Sequence, residues 1–200
     1  MAIKTLRNRI PHLLTAVLLL LGLMTAATTQ AQAAPQPLGG SATVCSYSPV
    51  PTGWVVTRVV TSSSCTGSGY AYNISDTAGL NSISACSFST VPTGWVVARG
   101  STTSYCSGAT YMFDLTNTAG LSYTTACSFS TIPTGWVTTS TSTTSYCAGA
   151  TYLFNIVNTA GLSYTTACPF STIPTGWVIT STFNTSNCGG NGFGYNIRRA

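Results

Sequence analysis

Large apolar side chains recur at every second position in four short stretches of this chain: Tyr70-Ala-Tyr72-Asn-Ile74, Tyr111-Met-Phe113-Asp-Leu115, Tyr152-Leu-Phe154-Asn-Ile156 and Phe193-Gly-Tyr195-Asn-Ile197. An aromatic, aromatic, aliphatic face at period two predicts a half-buried β-strand. Ahead of each stretch an apolar residue (Val50, Val91, Ile132, Ile173) is followed by Pro-Thr-Gly-Trp-Val. Proline presets its own backbone angle and glycine accepts positive φ, so this segment predicts a turn. The β-forming run from the tryptophan onward predicts a second strand. The Ser/Thr tract beyond it either extends that strand or loops out.

After the aromatic strand, Asn-Thr-Ala-Gly-Leu (Asn117 to Leu121, Asn158 to Leu162) predicts another turn. It leads into Ser-Tyr-Thr-Thr-Ala-Cys-Ser-Phe, read as a third strand with Cys127 and Phe129 on one side. Beyond the N-terminal segment no stretch has a helical period.

These elements recur because the chain repeats. Its eight cysteines stand at Cys45, Cys65, Cys86, Cys106, Cys127, Cys147, Cys168 and Cys188, in a 41-residue period of four copies. In the third copy the columns filled identically in all four are Cys127, Ser130, Pro133, Thr134, Gly135, Trp136, Val137, Ser145, Cys147 and Gly149. Residues between them drift among Ser, Thr and Val, the pattern of a scaffold. The expected units are residues 38–79, 80–120, 121–161 and 162–200, opening near Leu38, Leu80, Leu121 and Leu162. Each is expected to be a three-stranded antiparallel meander, making the protein all-β. Units this small need a staple or a neighbour. The period therefore favours pairing within copies: Cys45 with Cys65, Cys86 with Cys106, Cys127 with Cys147 and Cys168 with Cys188. An open row of modules is favoured over a closed four-bladed ring, since a ring needs no staple in each blade and has four strands per blade.

Composition changes the picture mainly at the N-terminus. Lys4, Arg7 and Arg9 precede an apolar run from Leu13 to Met24, and Ala31-Gln32-Ala33 offers small residues at a cleavage site. Residues 1–33 therefore read as a secretory signal peptide and 34–37 as a short N-terminal segment. The expected location is secreted, extracellular or periplasmic, with no membrane span after cleavage. The remaining chain carries four arginines against two aspartates, a net charge of +2. Two of those arginines are the adjacent Arg198 and Arg199, so there is no basic stripe for nucleic acid.

The same residues exclude most catalytic chemistry. The only histidine, His12, and the only lysine, Lys4, lie in the expected signal peptide, and the chain has no glutamate. A Ser-His-Asp triad, a Ser-Lys dyad and a histidine base are all missing. Asp76 aligns with Asn117, Asn158 and Arg199, and Asp114 with Asn73, Asn155 and Asn196. Columns that accept asparagine for aspartate are turn or backbone-bonding positions, not proton-transfer ones. The cysteine spacing suits neither zinc nor a redox pair. The expectation is a protein without catalysis, cofactor or metal.

What remains is binding or structure. Trp54, Trp95, Trp136 and Trp177 are read as core, because each small unit needs one large apolar side chain. Tyrosines in columns that vary are the candidate ligand-stacking faces: Tyr105 and Tyr146 align with Ser64 and Asn187, and Tyr123 and Tyr164 with Ser82. The expected partner is a protein or glycan on an extracellular surface. The leading expectation is a structural or adhesive extracellular array with avidity from repeated contacts. A carbohydrate-binding module is the alternative. Ice or surface binding by ranked threonines (Thr139, Thr141, Thr143) is a remote one. Asn73 and Asn184 open glycosylation sequons.

Overall fold

The computed structural model describes residues 40–200. The expected signal peptide, the 34–37 segment and Leu38 lie outside the described residues. Among the described residues the regular structure is entirely β, in twelve strands. They are β1 (Ser41–Cys45), β2 (Trp54–Thr61), β3 (Tyr70–Asp76), β4 (Ser82–Cys86), β5 (Trp95–Thr102) and β6 (Tyr111–Asn117), then β7 (Tyr123–Cys127), β8 (Trp136–Thr143), β9 (Tyr152–Asn158), β10 (Tyr164–Ala167), β11 (Trp177–Asn184) and β12 (Phe193–Arg199). They form four separate three-stranded antiparallel sheets in tandem. The Ser/Thr tract extends the second strand of each unit to eight residues.

The strand order within a unit departs from a sequential meander. It is β1-β3-β2, and likewise β4-β6-β5, β7-β9-β8 and β10-β12-β11, so the aromatic strand is central and the other two flank it in parallel. The disulfides give the physical reason. They join Cys45–Cys65, Cys86–Cys106, Cys127–Cys147 and Cys168–Cys188, with Cα atoms 5.4 to 5.5 Å apart. In a meander β1 would end beside the start of β2, and an eight-residue strand would then carry the chain about 26 Å away before Cys65 is reached. Running the flanking strands parallel brings Cys45, at the end of β1, to the β2–β3 loop that holds Cys65. The Pro-Thr-Gly segment is the crossover that makes this possible. Its glycines, Gly53, Gly94, Gly135 and Gly176, have φ of 80 to 83°, which explains why that column admits nothing else.

A second correction concerns the strand ends. The first strand of each unit stops at or just before its cysteine, so Phe129 sits in the following turn and does not share a strand face with Cys127. Cys127 is fully buried and Phe129 is half exposed.

A three-stranded sheet has no second layer of its own, and here the next unit supplies it. Val55 belongs to one cluster with Ala85, Trp95 and Leu115 of the second unit. The same contacts recur for Val96 with Ala126, Trp136 and Ile156, and for Val137 with Ala167, Trp177 and Ile197. The following unit's disulfide completes the cover: Val56 and Ile74 cluster with Cys86 and Cys106, and Val97 and Leu115 with Cys127 and Cys147. Strand contacts between units run only between neighbours, β2 with β4, β5 with β7 and β8 with β10. The array is an open row, not a ring.

Candidate functional site

The joint between units is the most fully specified feature of the molecule, and it fixes which side chains remain free for a partner. Each second strand is a sheet edge with unpaired amides, and each carries a β-bulge, at Thr57, Ala98, Thr139 and Thr180. The bulge breaks the ladder and leaves edge amides for the next unit. On its near side the N–H of Val56, Val97 or Thr138 donates to the hydroxyl of Ser89, Ser130 or Ser171, at 2.8 to 2.9 Å. On its far side Val59, Gly100 and Thr141 donate to the carbonyls of Tyr105, Tyr146 and Asn187, at 2.6 to 2.8 Å. The serine column, unassigned by sequence, is thus an inter-unit acceptor.

Aromatic pairs close the same joints. Tyr72 meets Phe88, Phe113 meets Phe129 and Phe154 meets Phe170, with ring centroids 5.1 to 5.5 Å apart. Shallow grooves lie between successive Pro-Thr-Gly turns. One of about 430 Å³ is lined by Ile132, Pro133, Trp136, Phe170 and Ile173. Its counterpart between the first two units, about 230 Å³, is lined by Val50, Pro51, Trp54 and Phe88.

The four candidate tyrosines fall into two sets. Tyr105 and Tyr146 lie under guanidinium groups of the preceding unit, Arg58 at 4.9 Å and Arg99 at 5.0 Å from the ring centroids. They keep over half of their surface, but one face of each is already occupied by a cation–π contact. Tyr123 and Tyr164 open the first strands of the third and fourth units and are 75% and 78% exposed. They are the freer stacking faces. Of the tryptophans, Trp95, Trp136 and Trp177 are buried and Trp54 is partly buried.

The two carboxylates sit in backbone-level roles. Asp76 Oδ1 accepts from the Ala78 N–H at 3.0 Å, the bond that Asn117 makes to Ala119 and Asn158 to Ala160. Asp114 accepts from the Ser84 hydroxyl at 2.7 Å, as Asn73 accepts from Thr43. Among the described residues no cluster of three or more His, Cys, Asp or Glu could hold a metal ion. The threonine rank is also broken: Thr139 is the bulge residue and donates to the Asn155 carbonyl, while Thr141 donates to that of Asn187. Asn73 lies on the central strand of its sheet, and Asn184 at the exposed end of β11.

The arginine–tyrosine contacts were missed from sequence, although a signal was present. Arg58 and Arg99 occupy one column in copies one and two, and their tyrosines one column in copies two and three; where copy three has Ser140, copy four has Asn187. The two columns vary together with an offset of one repeat.

No protein-family model, no curated protein and no solved structure matches the chain. Its class therefore rests on its own geometry: an all-β tandem-repeat protein with one disulfide in every unit. Four such bridges suit an oxidising compartment.

Proposed function

We propose that this is a secreted, non-catalytic repeat protein, extracellular or periplasmic, that forms a structural or adhesive array. One observation carries the reading. Phe88, Phe129 and Phe170 recur at the unit period and are each 45 to 46% exposed, on a row with almost no charge. Regularly spaced weak contacts of this kind gain strength by avidity. The aspartates support the non-catalytic part, because asparagine makes the same hydrogen bonds in sister units. The test is retention of the oxidised full-length chain on immobilised cell-surface material. Changing Phe88, Phe129 and Phe170 together to Leu, which keeps the joints apolar, should reduce retention severalfold while circular dichroism shows the sheets still formed. Absence of retention by the unaltered chain would sink the reading.

The exposure of Tyr123 and Tyr164 favours one second reading, glycan binding by ring stacking. Titration with soluble oligosaccharides, followed by calorimetry, separates the two: a glycan site saturates with the free sugar. If Tyr105 and Tyr146 belong to that site, changing both to Ser abolishes the signal.

A further inference from the structure

The fourth unit presents outward the same face that the first three bury, and the first unit presents the face that complements it. In units one to three the paired positions on the second strand are closed: Val55, Val96 and Val137 are 0% exposed, and Val56, Val97 and Thr138 at most 2%. Their counterparts in unit four, Val178 and Ile179, are 40% and 47% exposed. The exposed position is not a polar surface column, since Ile179 is more apolar than the buried Thr138 that occupies the same place in unit three.

At the other end, the first unit keeps the parts that units two to four use to dock. Ser48 occupies the acceptor column of Ser89, Ser130 and Ser171, with no earlier unit among the described residues to donate to it. Tyr47 occupies the column of Phe88, Phe129 and Phe170 and is 64% exposed.

We propose that the chain stacks head to tail on further copies of itself, the outer face of unit four receiving unit one of the next copy in a fourth instance of the internal joint. The register is set by the other three. The Ile179 N–H donates to the Ser48 hydroxyl, the Thr182 N–H to the Ser64 carbonyl, and Tyr195 packs on Tyr47. Ser181 and Ser64 take the columns of Arg58 and Tyr105, as Ser140 and Asn187 already do within the chain, so these two columns bring no charge into the joint. One column differs: Val44 stands where the later units have Ala85, Ala126 and Ala167. Its extra methyl groups face the incoming Val178 and make this joint weaker than the internal ones, so association depends on concentration. The contact is between two different faces and continues an open row, so it propagates into filaments instead of closing as a dimer. The inference goes beyond the adhesive reading: a chain that assembles but adheres to nothing keeps this inference and loses that one, and the converse also holds.

The test is sedimentation of the oxidised, purified full-length chain over a concentration series. The expected result is a mass that rises past the dimer without a plateau. Ile179→Asp disables one face and Ser48→Asp with Tyr47→Asp the other, both at partly or fully exposed positions, so melting temperatures should hold. Each variant alone should stay monomeric, and their equimolar mixture should stop at a dimer, because each retains one competent face. Val44→Ala should strengthen association severalfold. A chain monomeric at every concentration would overturn the inference, and so would self-association that persists in both variants. A plateau at the dimer would do the same, as would a face four covered by the chain's own N-terminal segment.

Discussion

The hydroxyl of Ser130 accepts a 2.9 Å hydrogen bond from the backbone N–H of Val97, thirty-three residues earlier and in the preceding unit. Val97 is 2% exposed, so its amide has no water to fall back on. Replacing Ser130 with Ala leaves a buried donor unsatisfied, at a cost of about 1 to 3 kcal/mol. Ser48→Ala, in the same column but at the outer face of unit one, should change stability by less than about 0.5 kcal/mol in dilute solution. Urea unfolding of the two variants checks the contrast; equal losses would mean that the serine serves its own loop and not the joint.

Gly100 sets the closeness of the second joint. A Cβ built on it would lie 2.5 Å from the Cβ of Ala148, which itself holds a positive φ of 41°. Sister units solve the same contact differently, with Val59 facing a unit that has Ser107 and Thr141 facing one that has Gly189. Gly100→Val should therefore cost about 1 to 3 kcal/mol by overpacking. Adding Ala148→Gly removes the obstructing methyl and suits the left-handed backbone, so the double variant should recover more than half of that loss. A double-mutant cycle reads the coupling directly, and strictly additive losses would contradict the contact.

Much of this was legible in the chain itself. The alternation at Tyr111, Phe113 and Leu115 announced the central strand, and the 41-residue period of the cysteines announced four stapled units. Strand order was harder, because apolar alternation says which side of a strand is buried and nothing about its neighbours. The information lay in combining two readings, since a bridge from Cys45 to Cys65 fits badly with consecutive strands laid side by side. The partner surface was less legible still. Tyr105 and Tyr123 look alike as residues in drifting columns, and only the placement of Arg58 in the unit before separates a half-covered ring from an open one.

The disulfides are core as well as staple. Cys127 and Cys147 are both 0% exposed and pack against Val97 and Leu115 of the preceding unit, whereas Cys45 has no earlier unit over it among the described residues and is only partly buried. Loop closure alone gives each twenty-residue bridge about 3 kcal/mol in the chain-entropy model. Replacing both Cys127 and Cys147 with Ser should cost more than that, since two hydroxyls enter an apolar joint. The same change at Cys45 and Cys65 should cost less than the internal pair. Melting temperatures of the two variants decide it: an equal or larger loss for the first unit would show that the bridge acts only within its own module.

The cation–π contacts give the last prediction, because they test whether Tyr146 is a joint residue or a free ligand face. Arg99 stands opposite Asp114 in the β5–β6 ladder, yet its guanidinium carbon lies 5.0 Å from the Tyr146 ring centroid in the next unit. An exposed contact of this type is worth about 0.5 to 1 kcal/mol. Arg99→Ala and Tyr146→Ser should each destabilise by roughly that amount, and the double variant by little more than either, since both delete one interaction. Added salt should leave the coupling largely intact, because ring and cation lie 5.0 Å apart, well inside the roughly 10 Å over which 0.1 M salt screens. Strict additivity would instead release Tyr146 from the joint and return it, with Tyr123 and Tyr164, to the surface available for a partner.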